Sequence, residues 1–85
     1  MDYRLLVDLE VVEKIQRLPK RMRDDLLTHF LRIRDFPSRY ADYNEHDAVG
    51  RRVEISIYGR FAVHYWIDFA DRHVKVLALN PADTT

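Results

Sequence analysis

The sequence contains no cysteine, only two glycines and no long run of apolar residues. The lack of cysteine excludes a disulfide framework and a thiolate metal site. No segment approaches the roughly 20 apolar residues of a membrane-spanning helix, and the opening MDYRLLVDLE is not typical of a signal peptide. These absences predict a cytoplasmic protein that does not associate with a membrane.

A net charge of one sign is also missing. Fourteen Lys and Arg residues balance fourteen Asp and Glu residues, which removes the general attraction to polyanions that a strongly basic domain has. Binding of a nucleic acid would therefore depend on local clusters of basic residues. Two such clusters are present, one at the start of a predicted helix and one around a predicted hairpin: Lys20, Arg21 and Arg23, and Arg51, Arg52 and Arg60. Either cluster could also be an ordinary solvated face.

Two amphipathic helices are predicted between residues 8 and 36, after a short first strand over residues 3–7. Asp8 can cap the first helix, and Pro19 stops it. The second helix begins beside Pro19 and ends at Phe36 and Pro37. Apolar residues recur at helical spacing in both, namely Val11, Val12, Ile15 and Leu18, then Met22, Leu26, Phe30 and Ile33.

Three further strands are predicted over residues 51–58, 60–69 and about 74–78, whereas the polar segment 38–49 is predicted to be a loop. Short connections make consecutive strands antiparallel. The sequence therefore predicts an α+β fold of order β-α-α-β-β-β, in which a helical hairpin packs on a small antiparallel sheet. One domain is expected over residues 1–80, followed by a frayed tail over residues 81–85.

Period-two alternation predicts which strand residues face away from the helices. The predicted solvent face carries polar groups and one tryptophan: Arg52, Glu54 and Ser56 from one strand, and Arg60, Ala62, His64 and Trp66 from the next. The side chains predicted to face the core are Phe61, Val63, Tyr65 and Ile67. On this interpretation, Arg52 and His64 share one water-facing surface.

That predicted surface could support cleavage of RNA without a metal, which needs an acid, a base and positive charge on the phosphate. His64 or Lys75 could transfer protons, and Arg60 and Arg52 could bind phosphate oxygens through their guanidinium groups. The remaining residues of the two basic clusters are candidate RNA contacts, and Trp66 could stack on a base. Each residue also has a structural alternative, such as cross-strand pairing or simple packing.

No metal or cofactor site is predicted. The four histidines, His29, His46, His64 and His73, lie in four separate elements, without the spacing of a closed zinc site. A glycine-rich phosphate loop and a nucleophile elbow are also excluded, because Gly50 and Gly59 are the only glycines.

The order of the elements, together with the run GRRVEISIYGRFAVHYWID followed by HVKVLAL, resembles the RelE/ParE superfamily of small bacterial toxins. The resemblance covers nearly the whole chain and implies the same fold. For the RelE type it implies messenger RNA cleavage in the ribosomal A site by basic residues of the sheet, with an antitoxin that wraps the same surface. For the ParE type it implies action against DNA gyrase.

Several positions depart from the basic pattern that the resemblance implies. Arg52 keeps a basic side chain, whereas Glu54, Ala62 and Ala82 stand near positions that are usually basic. The first hypothesis is a toxin that inhibits translation by ribosome-dependent messenger RNA cleavage. The alternatives are a non-nucleolytic member, either a gyrase inhibitor or a protein-binding module, and a stable partner subunit. A partner peptide, the cognate antitoxin, is expected in each case.

Overall fold

The two helices of the computed structural model, which describes residues 3–82, begin at the predicted signals, and α1 ends at Gln16, before Pro19. Helix α1 spans Leu9–Gln16, and the Asp8 carboxylate accepts a hydrogen bond from the backbone N–H of Glu10 at 3.0 Å. Helix α2 spans Lys20–Asp35, directly after Pro19. Neither helix combines the length and the apolar character needed to cross a bilayer.

A single mixed sheet completes the fold within residues 3–82. Its strands are β1 (Arg4–Val7), β2 (Tyr43–His46), β3 (Arg52–Tyr58), β4 (Phe61–Asp68) and β5 (His73–Pro81). Their spatial order is β1-β5-β4-β3-β2. The predicted α+β arrangement of a strand, a helical hairpin and a sheet is confirmed.

Strand β2 lies inside the segment predicted as a loop. It pairs antiparallel with β3, and Asp42 holds its start by donating its N–H to the Ile55 carbonyl and accepting the Ile57 N–H on its carboxylate, at 2.8 and 2.6 Å. All four residues of β2 are exposed. An edge strand of this kind shows no alternation of apolar and polar residues, so the pattern on which the prediction depended is absent.

Two further details differ from the sequence-based expectation. Strand β1 runs parallel to β5, because the helical hairpin carries the chain across the sheet before the antiparallel strands begin. The tail does not fray at residue 81, since Pro81 ends β5 and the N–H of Ala82 donates to the Arg60 carbonyl at 2.7 Å. Residues 83–85 of the predicted tail lie outside the described residues.

The main core lies between the helices and one side of the sheet, which we call the inner face. It consists of buried residues from both helices, β4 and β5: Val11, Ile15, Leu26, Phe30, Ile33, Val63, Tyr65, Ile67, Val74, Val76 and Leu79. Three other buried side chains, Val53, Ile55 and Ala62, are not members of this cluster. They lie on the opposite side of the sheet, the outer face.

The register of β3 reverses the predicted orientation of that strand. Glu54 pairs with Tyr65 and Ser56 pairs with Val63, and directly opposed residues of an antiparallel pair point to the same side. Glu54 and Ser56 therefore face the helices, and the prediction that they face solvent is wrong. The reason is a polar partner on α2, because the Ser56 hydroxyl lies 2.9 Å from Nε2 of buried His29.

Candidate functional site

Arg52 and His64 lie on opposite faces of the sheet. Arg52 shares a side with Glu54, two residues along β3, and their side chains form an ion pair of 2.7 Å. His64 precedes Tyr65 on β4, and it is paired with Ile55 on the outer face. Because neighbouring residues of a strand point in opposite directions, the predicted surface shared by Arg52 and His64 does not exist.

A cleft of about 480 Å³ opens on the inner face. We call it the inner cleft. Its lining includes polar and aromatic residues of the segment after α2, of β2 and β3, and of the end of β4: Ser38, Asp42, Tyr43, Asn44, Arg52, Glu54 and Phe69. Phe69 is 67% exposed, whereas Tyr43 is paired with Ile55, so its ring points to the outer face. The inner cleft thus presents aromatic surface beside a charged pair.

The ion pair in the inner cleft is asymmetric in its exposure. The Arg52 side chain is 62% exposed, whereas that of Glu54 is only 8% exposed. Tyr65 lies behind this pair and donates its hydroxyl to the Pro37 carbonyl at 2.5 Å. Burial, reinforced by the negative charge of Glu54, raises the pKa of Tyr65 well above its ordinary value. Tyr65 is therefore a neutral structural donor, as its predicted place in the core requires.

On the outer face, two of the predicted cations form cation–π contacts with Trp66. The guanidinium carbon of Arg51 lies 4.9 Å from the centre of the indole ring, and Nζ of Lys75 lies 4.7 Å from it. Both cations also face carboxylates, since Arg51 pairs with Asp47 at 2.9 Å and Lys75 lies 3.7 Å from Asp68. Their charge is partly neutralised, which weakens this surface as a phosphate site.

His64 lies on the same face in a polar setting that the sequence analysis did not identify. Its Nδ1 is 3.8 Å from a Glu45 carboxylate oxygen, and its Nε2 is 3.4 Å from the Asn80 side-chain nitrogen. The His64 side chain is 20% exposed. Glu45 belongs to β2, so its approach to His64 could be found only by recognising that edge strand.

The remaining predicted cations lie elsewhere. Arg60 lines a smaller inner-face cavity of about 160 Å³, together with Met22 and Asp25 of α2. Lys20 forms an exposed ion pair of 2.8 Å with Asp24. At the start of the same helix Arg21 is exposed and Arg23 half-buried. The structure therefore brings Arg60 close to the first turns of α2 and away from His64.

The described residues include one group with the composition of a metal site. Ligand atoms of Asp68, Asp71 and His73 lie within 4.8 Å of one another. Sequence reasoning missed this group because it considered only the spacing of histidines. The Asp68 carboxylate already accepts the Asp71 N–H at 3.1 Å and lies 3.7 Å from the Lys75 ammonium. The positive charge beside Asp68 is therefore supplied by Lys75.

Comparisons with known proteins find similarity in structure. No family model matches the sequence, and no curated protein matches it either. The fold is similar to that of RelE in the archaeal RelE–RelB complex from Pyrococcus horikoshii, with a TM-score of 0.78, 26% identity and coverage of 100% of both chains.

Two other toxin–antitoxin structures are similar at lower sequence identity. The RelBE2 complex from Mycobacterium tuberculosis gives a TM-score of 0.81 at 15% identity, over 95% of this chain and 99% of that one. The intact RelBE complex from E. coli gives 0.73 at 14% identity, over 98% and 100% of the two chains. These likenesses extend over almost the whole chain and concern the fold.

Proposed function

This chain belongs by its fold to the RelE/ParE superfamily of toxins, and from that premise we propose that it is the toxin of a toxin–antitoxin pair. We propose further that it slows translation by cutting messenger RNA at the ribosome. The observation that carries the proposal is the inner cleft, which is lined by both the exposed Arg52 side chain and the exposed ring of Phe69. Cationic and aromatic groups together are the usual means of holding single-stranded RNA.

Arg52 has the leading role in this mechanism. It is the sole cation among the described residues that line the inner cleft. The Glu54 carboxylate fixes its Nε, which leaves the other guanidinium N–H groups to bind a phosphate as negative charge grows in the transition state. His64 and Lys75 lie on the opposite face, so in this mechanism water takes the proton of the 2′-hydroxyl and supplies the proton of the departing 5′-oxygen. The proposed rate enhancement comes from orientation of the RNA and from Arg52.

The proposed partner is a cognate antitoxin peptide that covers the outer face. Within residues 3–82, no helix covers that face, and Leu6 and Ile57 expose 43% and 39% of their surface there. An uncovered sheet surface with apolar side chains suits a helix or strand from another chain. The similar structures from P. horikoshii, M. tuberculosis and E. coli are themselves complexes with antitoxins, which supports the proposal.

Induction of the protein in growing bacteria, followed by mapping of transcript ends, tests the proposed activity. We expect growth arrest and new ends within coding sequences. Arg52→Ala should reduce both effects at least about 10-fold, the loss expected for one transition-state contact. The matched control is Arg34→Ala, which removes a surface arginine paired with Asp35 on α2. Normal growth with intact messages after induction of the wild type would refute RNA cleavage.

A second candidate is a non-nucleolytic toxin, such as an inhibitor of DNA gyrase. It is favoured by the acids of the inner cleft, where Asp42 and Glu54 stand against the single cation Arg52. Such a lining attracts a polyanion weakly. A supercoiling assay with purified gyrase separates the candidates, because inhibition with intact messages supports the second, and cut messages with active gyrase support the first.

A further inference from the structure

The Glu54 carboxylate is nearly buried but retains an oxygen for a ligand. Its side chain is 8% exposed, and its Oε2 accepts a hydrogen bond from Arg52 Nε at 2.7 Å. Arg52 is the donor that residues 3–82 supply to this carboxylate. In this part of the chain no fully buried side-chain polar atom lacks a partner. The other oxygen, Oε1, has no hydrogen-bond partner among these residues, so it cannot be fully buried and must be in contact with solvent. The inner cleft, which Glu54 lines, connects it to solvent.

A carboxylate of this kind selects a particular pattern of donors. Its two oxygens offer about four lone-pair sites, so Oε2 can accept a second hydrogen bond beside the one from Arg52. Guanine presents N1–H and an N2 amino group side by side on its Watson–Crick edge, which matches two carboxylate oxygens. Adenine and cytosine place a ring acceptor beside their amino donor, and uracil offers one donor between two carbonyl oxygens. Those acceptors would face the Glu54 charge unfavourably.

The surroundings of Glu54 fit the rest of a guanine. The free N–H groups of Arg52 lie next to the carboxylate and can donate to O6, which neighbours N1 on the same edge of the base. Phe69, which also lines the cleft, provides exposed aromatic surface for stacking. The cleft volume of about 480 Å³ falls within the usual range for small-molecule sites.

We propose that the inner cleft is a guanine subsite and that Glu54 reads the base. The identity of the natural ligand as RNA rests on the proposed function. The pairing of Glu54 with guanine depends on the carboxylate and its setting, and it can be measured with mononucleotides in the absence of ribosomes.

Titration of the purified full chain with GMP, IMP and AMP, followed by NMR shifts of backbone amides around Glu54, tests the subsite directly. GMP should bind roughly 5- to 150-fold more tightly than AMP. IMP lacks the 2-amino group and should fall between them. Glu54→Gln should remove the preference, because an amide replaces one acceptor by a donor. Glu13→Gln, the same change at an exposed position of α1, should keep it.

Two results would overturn the subsite, namely equal binding of GMP and AMP to the wild type, or an unchanged GMP preference in Glu54→Gln. The wild-type comparison needs no variant, so a folding defect in Glu54→Gln leaves the test intact. Transcript ends from induced cells distinguish the two proposals. Cut messages without guanine at the ends, combined with equal GMP and AMP binding, would reject only the subsite. A GMP preference with uncut messages would reject only the nuclease.

Discussion

Replacing Ser56 by alanine should destabilise the protein by about 1–3 kcal/mol. Ser56 is 1% exposed and His29 is 5% exposed, with the hydroxyl and Nε2 2.9 Å apart. Alanine removes the hydroxyl and leaves a buried ring nitrogen without its partner, which costs about 1–3 kcal/mol in free energy of unfolding. For a domain of this size, each 1 kcal/mol lowers Tm by about 4–8 °C. The expected fall in Tm is therefore about 4–24 °C.

The measurement is urea unfolding at pH 7.5, checked by thermal unfolding of the same samples. Ser38→Ala makes the identical chemical change at an exposed position of the inner cleft and should stay within about 0.5 kcal/mol of the wild type. If Ser56→Ala also stays within that range, Ser56 does not face α2, and the register that separates Arg52 from His64 is refuted.

Three further outcomes test the core and its titrating group. Burial lowers the pKa of His29, so the His29 ring binds a proton more readily in the unfolded chain than in the folded protein. The free energy of unfolding, measured by urea titration, should therefore fall as the pH drops below about 6.5. The dependence of this free energy on pH should be shallower in His29→Gln. Leu26→Ala should lower the free energy of unfolding by about 2–5 kcal/mol, and Leu27→Ala by about 1 kcal/mol or less, because Leu26 is fully buried and Leu27 is 43% exposed. Equal losses of stability in the two variants would contradict the orientation of α2. Tyr65→Phe removes the hydrogen bond to the Pro37 carbonyl and should lower stability by about 0.5–1.5 kcal/mol in chemical denaturation, whereas an unchanged midpoint would show that the bond contributes nothing.

The elements with strong local signals could be predicted from the sequence. Asp8 caps the start of α1, Pro19 directly precedes α2 and Pro37 follows its end, because caps and prolines act on the backbone next to them. Gly59 has φ of +60°, so the turn between β3 and β4 also has a local cause. Strand β2 could not be predicted in this way, because pairing with β3 stabilises it and its own residues show no period.

The candidate site could not be predicted, because alternation gives a period without saying which face meets the helices. In β3, Val53 and Ile55 are buried on the outer face while Ser56 is buried on the inner face. The apolar half of the strand therefore does not face the main core. The buried pairing of Ser56 with His29 joins residues 27 positions apart, and no local pattern encodes such a contact.

The position of β5 has a consequence for when the protein can fold during its synthesis. This last strand in chain order lies between β1, the first, and β4. In the described sheet, β1 finds its partners only in residues 73–76. A nascent chain that lacks them can form its helical hairpin but cannot close the sheet beneath it. The complete five-stranded sheet therefore forms only when translation of the domain is almost finished.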